Sequence, residues 1–192
     1  MMRAKAFFFA YEIEAAGVIE AFGYKPIAKE PYMLYENARG NLLFLSGIGN
    51  LNAANCLWYA CKNYDFAEAF NIGAAGALKS GMKLGELYCA TQVASLDPFY
   101  KGVFRLEKAD ESLPEARLIT AHEPVKLESE RLKCARLADL VDMEGCAFAA
   151  AAAHNNKPLK IVKFVSDFSE GCDIPSNIIK LRGVLNGYKS IF

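Results

Sequence analysis

The segment Val141-Asp142-Met143-Glu144-Gly145 sets two carboxylates where one apolar stretch, residues 138–141, meets an alanine-rich one running from Gly145 through Phe148 to His154. The patterns make the first a strand and the second a helix. A carboxylate buried beside Met and Ala is costly unless something hydrogen-bonds it. Such a group is either paired within the fold or placed to hold a ligand. Acidic residues in a first helical turn also complement the helix dipole, a reading that suits Asp142 better than Glu144. Two more acidic positions follow apolar runs: Glu14 after residues 5–10, and Asp167 after residues 159–165.

Elements able to position these groups require a real core. The chain has 192 residues and is 53% hydrophobic, enough for one domain spanning residues 1–192. Lys+Arg and Asp+Glu are both 22, so no basic footprint points to a nucleic-acid partner. The apolar run 6–11 is broken by Glu12 and Glu14, too short to span a membrane or to serve as an export signal. Cys56, Cys61, Cys89, Cys134, Cys146 and Cys172 form no CxxC, and His122 and His154 are the only histidines. The paired spacings of a zinc site are missing. The cysteines read as small buried hydrophobes in a reducing cytoplasm, the location expected for the chain.

Apolar runs alternate with helical patterns. Strands are expected over 5–10, 32–36, 42–46, 67–72, 84–91, 103–106, 116–121, 138–141 and 159–165. Residues 37–41 read as a hairpin turn. Helices are expected over 14–22, 50–63 with Asn50 as cap, 127–136, 145–155 and 176–188. Trp58, Tyr59 and Phe22 read as core. The alternation predicts a three-layer α/β/α sandwich with a central mixed β-sheet, its site in the loops at strand ends.

Five segments then fall into order at strand ends: residues 10–14, Ser46-Gly47-Ile48-Gly49-Asn50, Asn71-Ile72-Gly73-Ala74-Ala75-Gly76-Ala77-Leu78, residues 141–145, and Val165-Ser166-Asp167. With Leu84-Gly85-Glu86-Leu87, this order resembles the nucleoside phosphorylase/nucleosidase superfamily from about residue 4 to Asp167. It is most similar to the branch of methylthioadenosine/S-adenosylhomocysteine nucleosidase and futalosine hydrolase. The resemblance implies hydrolysis of the N-glycosidic bond of a purine nucleoside or a 5′-modified nucleoside, a small-molecule partner, no metal or organic cofactor, and a homodimer. Breaking that bond leaves positive charge on the ribose and negative charge on the base. An acid at purine N7 improves the leaving group, and the resemblance gives that role to Asp167. A free Asp has a pKa near ~3.9, so the pocket is expected to raise it. Glu14 matches the carboxylate that activates water, and Glu144 the one that binds the ribose hydroxyls. Met143 packs on the ribose or fills the core. Ile48 borders the nucleophile, where Gly47 and Gly49 permit close backbone approach. Gly73, Ala74 and Ser166 complete the implied substrate contacts.

The pattern departs from the family at several places. Ala74 stands where nucleosidases carry a small hydroxyl residue, Ile72 where Thr is frequent, and Lys163 where Arg is common. Residues 71–78 hold none of the arginines or hydroxyls with which phosphorylases gather phosphate. The aromatic clamp on the base is not evident, and Ala121-His122-Glu123-Pro124-Val125 offers only His122. Phe99, Tyr100 and Phe104 form an apolar loop that either completes a neighbouring subunit's pocket or makes a local mini-core. Two alternatives therefore stand beside hydrolysis: a purine nucleoside phosphorylase that uses phosphate, and a non-catalytic nucleoside-binding relative.

Overall fold

The structure, a computed structural model, describes residues 4–98, 100, 102–168 and 173–192; Phe99 and Cys172 lie outside the described residues. Phe7, Phe8 and Phe9 of β1 (Lys5–Phe9) are completely buried because both faces of the strand are covered. Phe8 packs in one cluster with Phe44, Leu57 and Phe148, whereas Phe7 and Phe9 belong to another with Val18, Phe70 and Leu185. An unbroken apolar run is what a strand between two helical layers requires. One layer holds α1 (Glu12–Ala21), α5 (Ile174–Leu181) and a 3-10 turn at Val184–Gly187. The other packs α2 (Asn50–Asn63) against α4 (Gly145–His154). This is the expected α/β arrangement.

The remaining strands are β2 (Lys25–Ala28), β3 (Met33–Glu36), β4 (Leu42–Leu45), β5 (Glu68–Ala77), β6 (Leu87–Ser95), β7 (Val103–Arg105), β8 (Glu115–Thr120), β9 (Leu140–Asp142) and β10 (Leu159–Asp167). All join one ten-stranded mixed sheet. β1 runs parallel to β4 and β5, while β2, β3 and β4 form an antiparallel edge. β5 pairs with β10, β10 with β6, β6 with β8, β8 with β9, and β9 returns to β5, so five strands close a circuit. Helix α3 (Glu128–Cys134) precedes β9 and buries Arg131 and Cys134.

Several element boundaries differ from the sequence expectation, each for a packing reason. β2 was not anticipated between the expected helix 14–22 and strand 32–36; Pro26 is tolerated on this edge strand. β5 continues through the glycine-rich stretch to Ala77, held by β10 and then by β9. β10 likewise extends to Asp167, which therefore ends a strand and does not lie in the following turn. Gly49 caps α2 in place of Asn50, at a φ of 93° that favours glycine. The long C-terminal helix is divided into α5 and the 3-10 turn. Cys56, Cys89, Cys134 and Cys146 are buried free thiols, and Cys61 is half-buried.

Candidate active site

A cavity of about 830 Å³ opens at the strand ends and is lined by Glu14, Ile48, Ala74, Met143, Glu144, Ser166 and Asp167. Seven of the eight residues anticipated from the sequence thus share one space. Gly73 is the exception: it leaves room beneath the site. A Cβ built there would stand 3.2 Å from Glu14 Oε1. Glu14 occupies the third position of α1, and Tyr11 N–H donates back to its Oε2 at 3.3 Å. Its Oε1 accepts from Ala74 N–H at 2.9 Å. Burial raises the Glu14 pKa above the ordinary carboxylate value, against the opposing pull of these amides and of Lys163. Glu12, one turn position away on the outer side, is exposed.

Glu144 precedes α4, and its Oε1 accepts from Gly49 N–H at 2.7 Å. The glycines of the 46–50 loop therefore bring a backbone amide onto the Glu144 carboxylate. Burial and the neighbouring Asp142 push Glu144 up to about 7. Asp142 is structural, as its sequence position suggested. Its Oδ2 accepts from Gly145 N–H at 2.8 Å and from Lys163 Nζ at 2.9 Å, and Oδ1 accepts from Thr120 Oγ at 2.7 Å. Thr120 Oγ in turn accepts from Cys146 N–H at 2.8 Å. Lys163 is 1% exposed and contributes the positive charge to this acidic group. Burial is the largest single influence and lowers the Lys163 pKa, but Asp142, Glu144 and Glu14 together outweigh it and leave the pKa raised.

Asp167 lies across the cavity, and it is paired. Its Oδ2 accepts from Arg131 Nη1 at 2.9 Å, and its Oδ1 accepts from Ser166 Oγ at 2.9 Å. Ser166 Oγ also lies 3.3 Å from the Ala75 carbonyl. One hydroxyl proton serves both acceptors alternately. Asp167 is thus one half of a buried ion pair with Arg131, an arrangement that the sequence reading of Asp167 did not anticipate. Arg131 was read from the sequence only as part of a helix. Nothing in its neighbours marks it, since Leu127 and Leu132, beside it on the chain, are exposed. His122 does not approach Asp167. It is exposed, sits 3.4 Å from Asp97, and lines a separate groove with Trp58 and His154. Pro124 and Val125 line the main cavity instead. Among the described residues no group of three or more His, Cys, Asp or Glu is placed to hold a metal ion. No described helix is long and apolar enough to cross a membrane.

A mixed α/β sheet with an acidic, ligand-sized cavity at its strand ends defines the class. Within that class, the sequence matches the phosphorylase superfamily over residues 23–125, more than half of its length, and the chain belongs to that superfamily. No curated protein matches it. Similar folds include a mutant of the Helicobacter pylori MTAN with 5′-methylthioadenosine in its active site, at TM-score 0.87 and 16% identity, covering 97% of this chain and 96% of that one. The Neisseria meningitidis 5′-methylthioadenosine/S-adenosylhomocysteine nucleosidase in complex with methylthio-immucillin-A has TM-score 0.83 and 23% identity, covering 99% and 97%. A futalosine hydrolase mutant of Helicobacter pylori has TM-score 0.85 and 17% identity, covering 99% and 98%. At these identities the likeness is one of fold.

Proposed function

We propose that the protein hydrolyses the N-glycosidic bond of a purine nucleoside or 5′-modified nucleoside. The observation that carries this reading is the convergence of Glu14, Glu144 and Asp167, far apart in sequence, on one cavity. Glu144 accepts hydrogen bonds from the ribose hydroxyls, and its negative charge favours the oxocarbenium-like sugar as the bond breaks. Glu14 takes a proton from water while the water oxygen bonds to the anomeric carbon. Its raised pKa suits a base working near neutral pH. The bonding pair leaves with the purine; Asp167 takes up a proton from solvent as the nucleoside binds, passes it to N7, and returns to its ion pair with Arg131. Free base and free sugar result. Met143 and Ile48 supply apolar walls for the sugar and its 5′ substituent.

Phosphate is disfavoured as the nucleophile. The cations lining the cavity are Arg131, held by Asp167, and the exposed Lys126, while Glu14 and Glu144 line the same space. A second anion there would be repelled. The exposed apolar residues Leu51 and Trp58 on α2, beside Tyr100, support a homodimer through this face, and the composition supports a cytoplasmic enzyme. The test is an assay of free base release from a nucleoside panel, run with and without phosphate. Release independent of phosphate is expected. Strict dependence on phosphate would replace hydrolysis by phosphorolysis, and binding without turnover would leave only a nucleoside-binding protein.

A further inference from the structure

Strand β5 measures out the site. At Ala74 its N–H holds Glu14 Oε1 at 2.9 Å. Two residues on, Gly76 lies opposite Asp167 in the β10 register, and a Cβ added there would stand 3.0 Å from Asp167 Oδ2 and 3.3 Å from Arg131 Nη1. At Ala77 the carbonyl accepts from Arg131 Nη2. Moving along the strand from the Glu14 end, the order is thus Glu14, Asp167, Arg131. A purine joined to a sugar at the Glu14 end presents N7 first and the substituent on C6 beyond it.

From this order we infer that Arg131 meets the C6 substituent and selects a 6-oxopurine over a 6-aminopurine. The inference rests on the reading that Asp167 faces purine N7. A guanidinium has five N–H donors and no acceptor. Three are engaged, by Val125 O, Asp167 Oδ2 and Ala77 O, and the Nε–H has no acceptor among the described residues. A 6-oxo group offers an acceptor to the remaining donors, whereas a 6-amino group turns N–H toward N–H. The unmatched donors on both sides would then be buried without partners. The position is built and not incidental: Arg131 is 7% exposed, fixed at three acceptors, and given its space by Gly76.

The test compares inosine with adenosine as substrates, and hypoxanthine with adenine as calorimetric ligands, for the wild-type protein and for Arg131→Gln. Wild type should favour the 6-oxo partner by roughly tenfold to a hundredfold in kcat/KM or Kd, the discrimination typical of one good base contact. Gln presents both a donor and an acceptor, so Arg131→Gln should erase or reverse the ratio. Equal use of the two bases by wild type, or preference for adenine, overturns the inference while leaving hydrolysis intact, and needs no variant to fold. Hypoxanthine binding more tightly than adenine with no cleavage of either nucleoside upholds the inference and removes hydrolysis of unmodified nucleosides from the proposed function. Failure to bind either base, together with no difference between the two nucleosides as substrates, overturns the inference alone.

Discussion

Replacing Glu144 by Gln should stabilise the fold at alkaline pH and abolish turnover. Burial and Asp142 raise the carboxyl from its ordinary 4.5 to about 7. The folded chain therefore binds a proton at Glu144 more tightly than the unfolded chain does. The stability linked to that proton is fully present below about pH 4.5 and is lost as pH rises through 7. By pH 8 the ionised side chain costs about 3 kcal/mol relative to its neutral form. Gln is neutral at every pH and still offers an oxygen to Gly49 N–H, the bond now 2.7 Å long. Glu144→Gln should raise Tm at pH 8 by roughly 6–12 °C, the shift expected for that energy in a chain of this size. The gain should shrink steadily toward pH 5. Differential scanning fluorimetry of both proteins between pH 5 and pH 8.5 reads the difference directly, since other titrating groups are common to the pair. An equal gain at both ends of the range, or a loss at pH 8, would refute the claim that Glu144 is held near neutrality by its surroundings.

Glu14→Gln should lower base release by roughly 10²- to 10⁴-fold, the usual worth of a general base, while nucleoside binding by calorimetry changes little because the amide oxygen still accepts from Ala74 N–H; loss of binding in parallel would make Glu14 a binding residue. Asp167→Asn should reduce turnover by a similar factor, since an amide cannot donate the proton that N7 needs, and near-normal rates in a base-release assay would count against its role. Lys163→Met should destabilise the fold by roughly 3–5 kcal/mol in urea titration, because it strands Asp142 as an uncompensated charge in a site where Lys163 is 1% exposed. A loss below about 1 kcal/mol would show that Thr120 and Gly145 satisfy Asp142 without it.

The alternation of strands and helices and the α/β class were legible because Phe7–Phe9, the alanines of α4 and the run 159–165 each carry a strong local pattern. The carboxylates were legible for a related reason, as acidic groups ending apolar runs stand out. What the sequence hid was set by long-range approach. Arg131 lies 36 positions from Asp167, on a short helix whose neighbouring leucines face outward, and only the closure of β5, β9 and β10 brings the two together. Lys163 read as an imperfect substitute for Arg, yet its ammonium sits against Asp142, a partner 21 positions back that no spacing rule would select. Gly73 and Gly76 fell beyond the expected end of the strand at residue 72. In the fold they are flat strand positions kept bare so that Glu14, Asp167 and Arg131 can lie over them.

Gly17 gives the C-terminal segment a bearing on chemistry. A methyl group at this position would fall 1.9 Å from the Arg182 carbonyl, so the backbone of α1 leans directly on the stretch just beyond α5. Glu14 rides on that same helix, one turn earlier. An edit that displaces the backbone at residues 182–183 therefore presses on the helix that carries Glu14, three residues upstream of the contact.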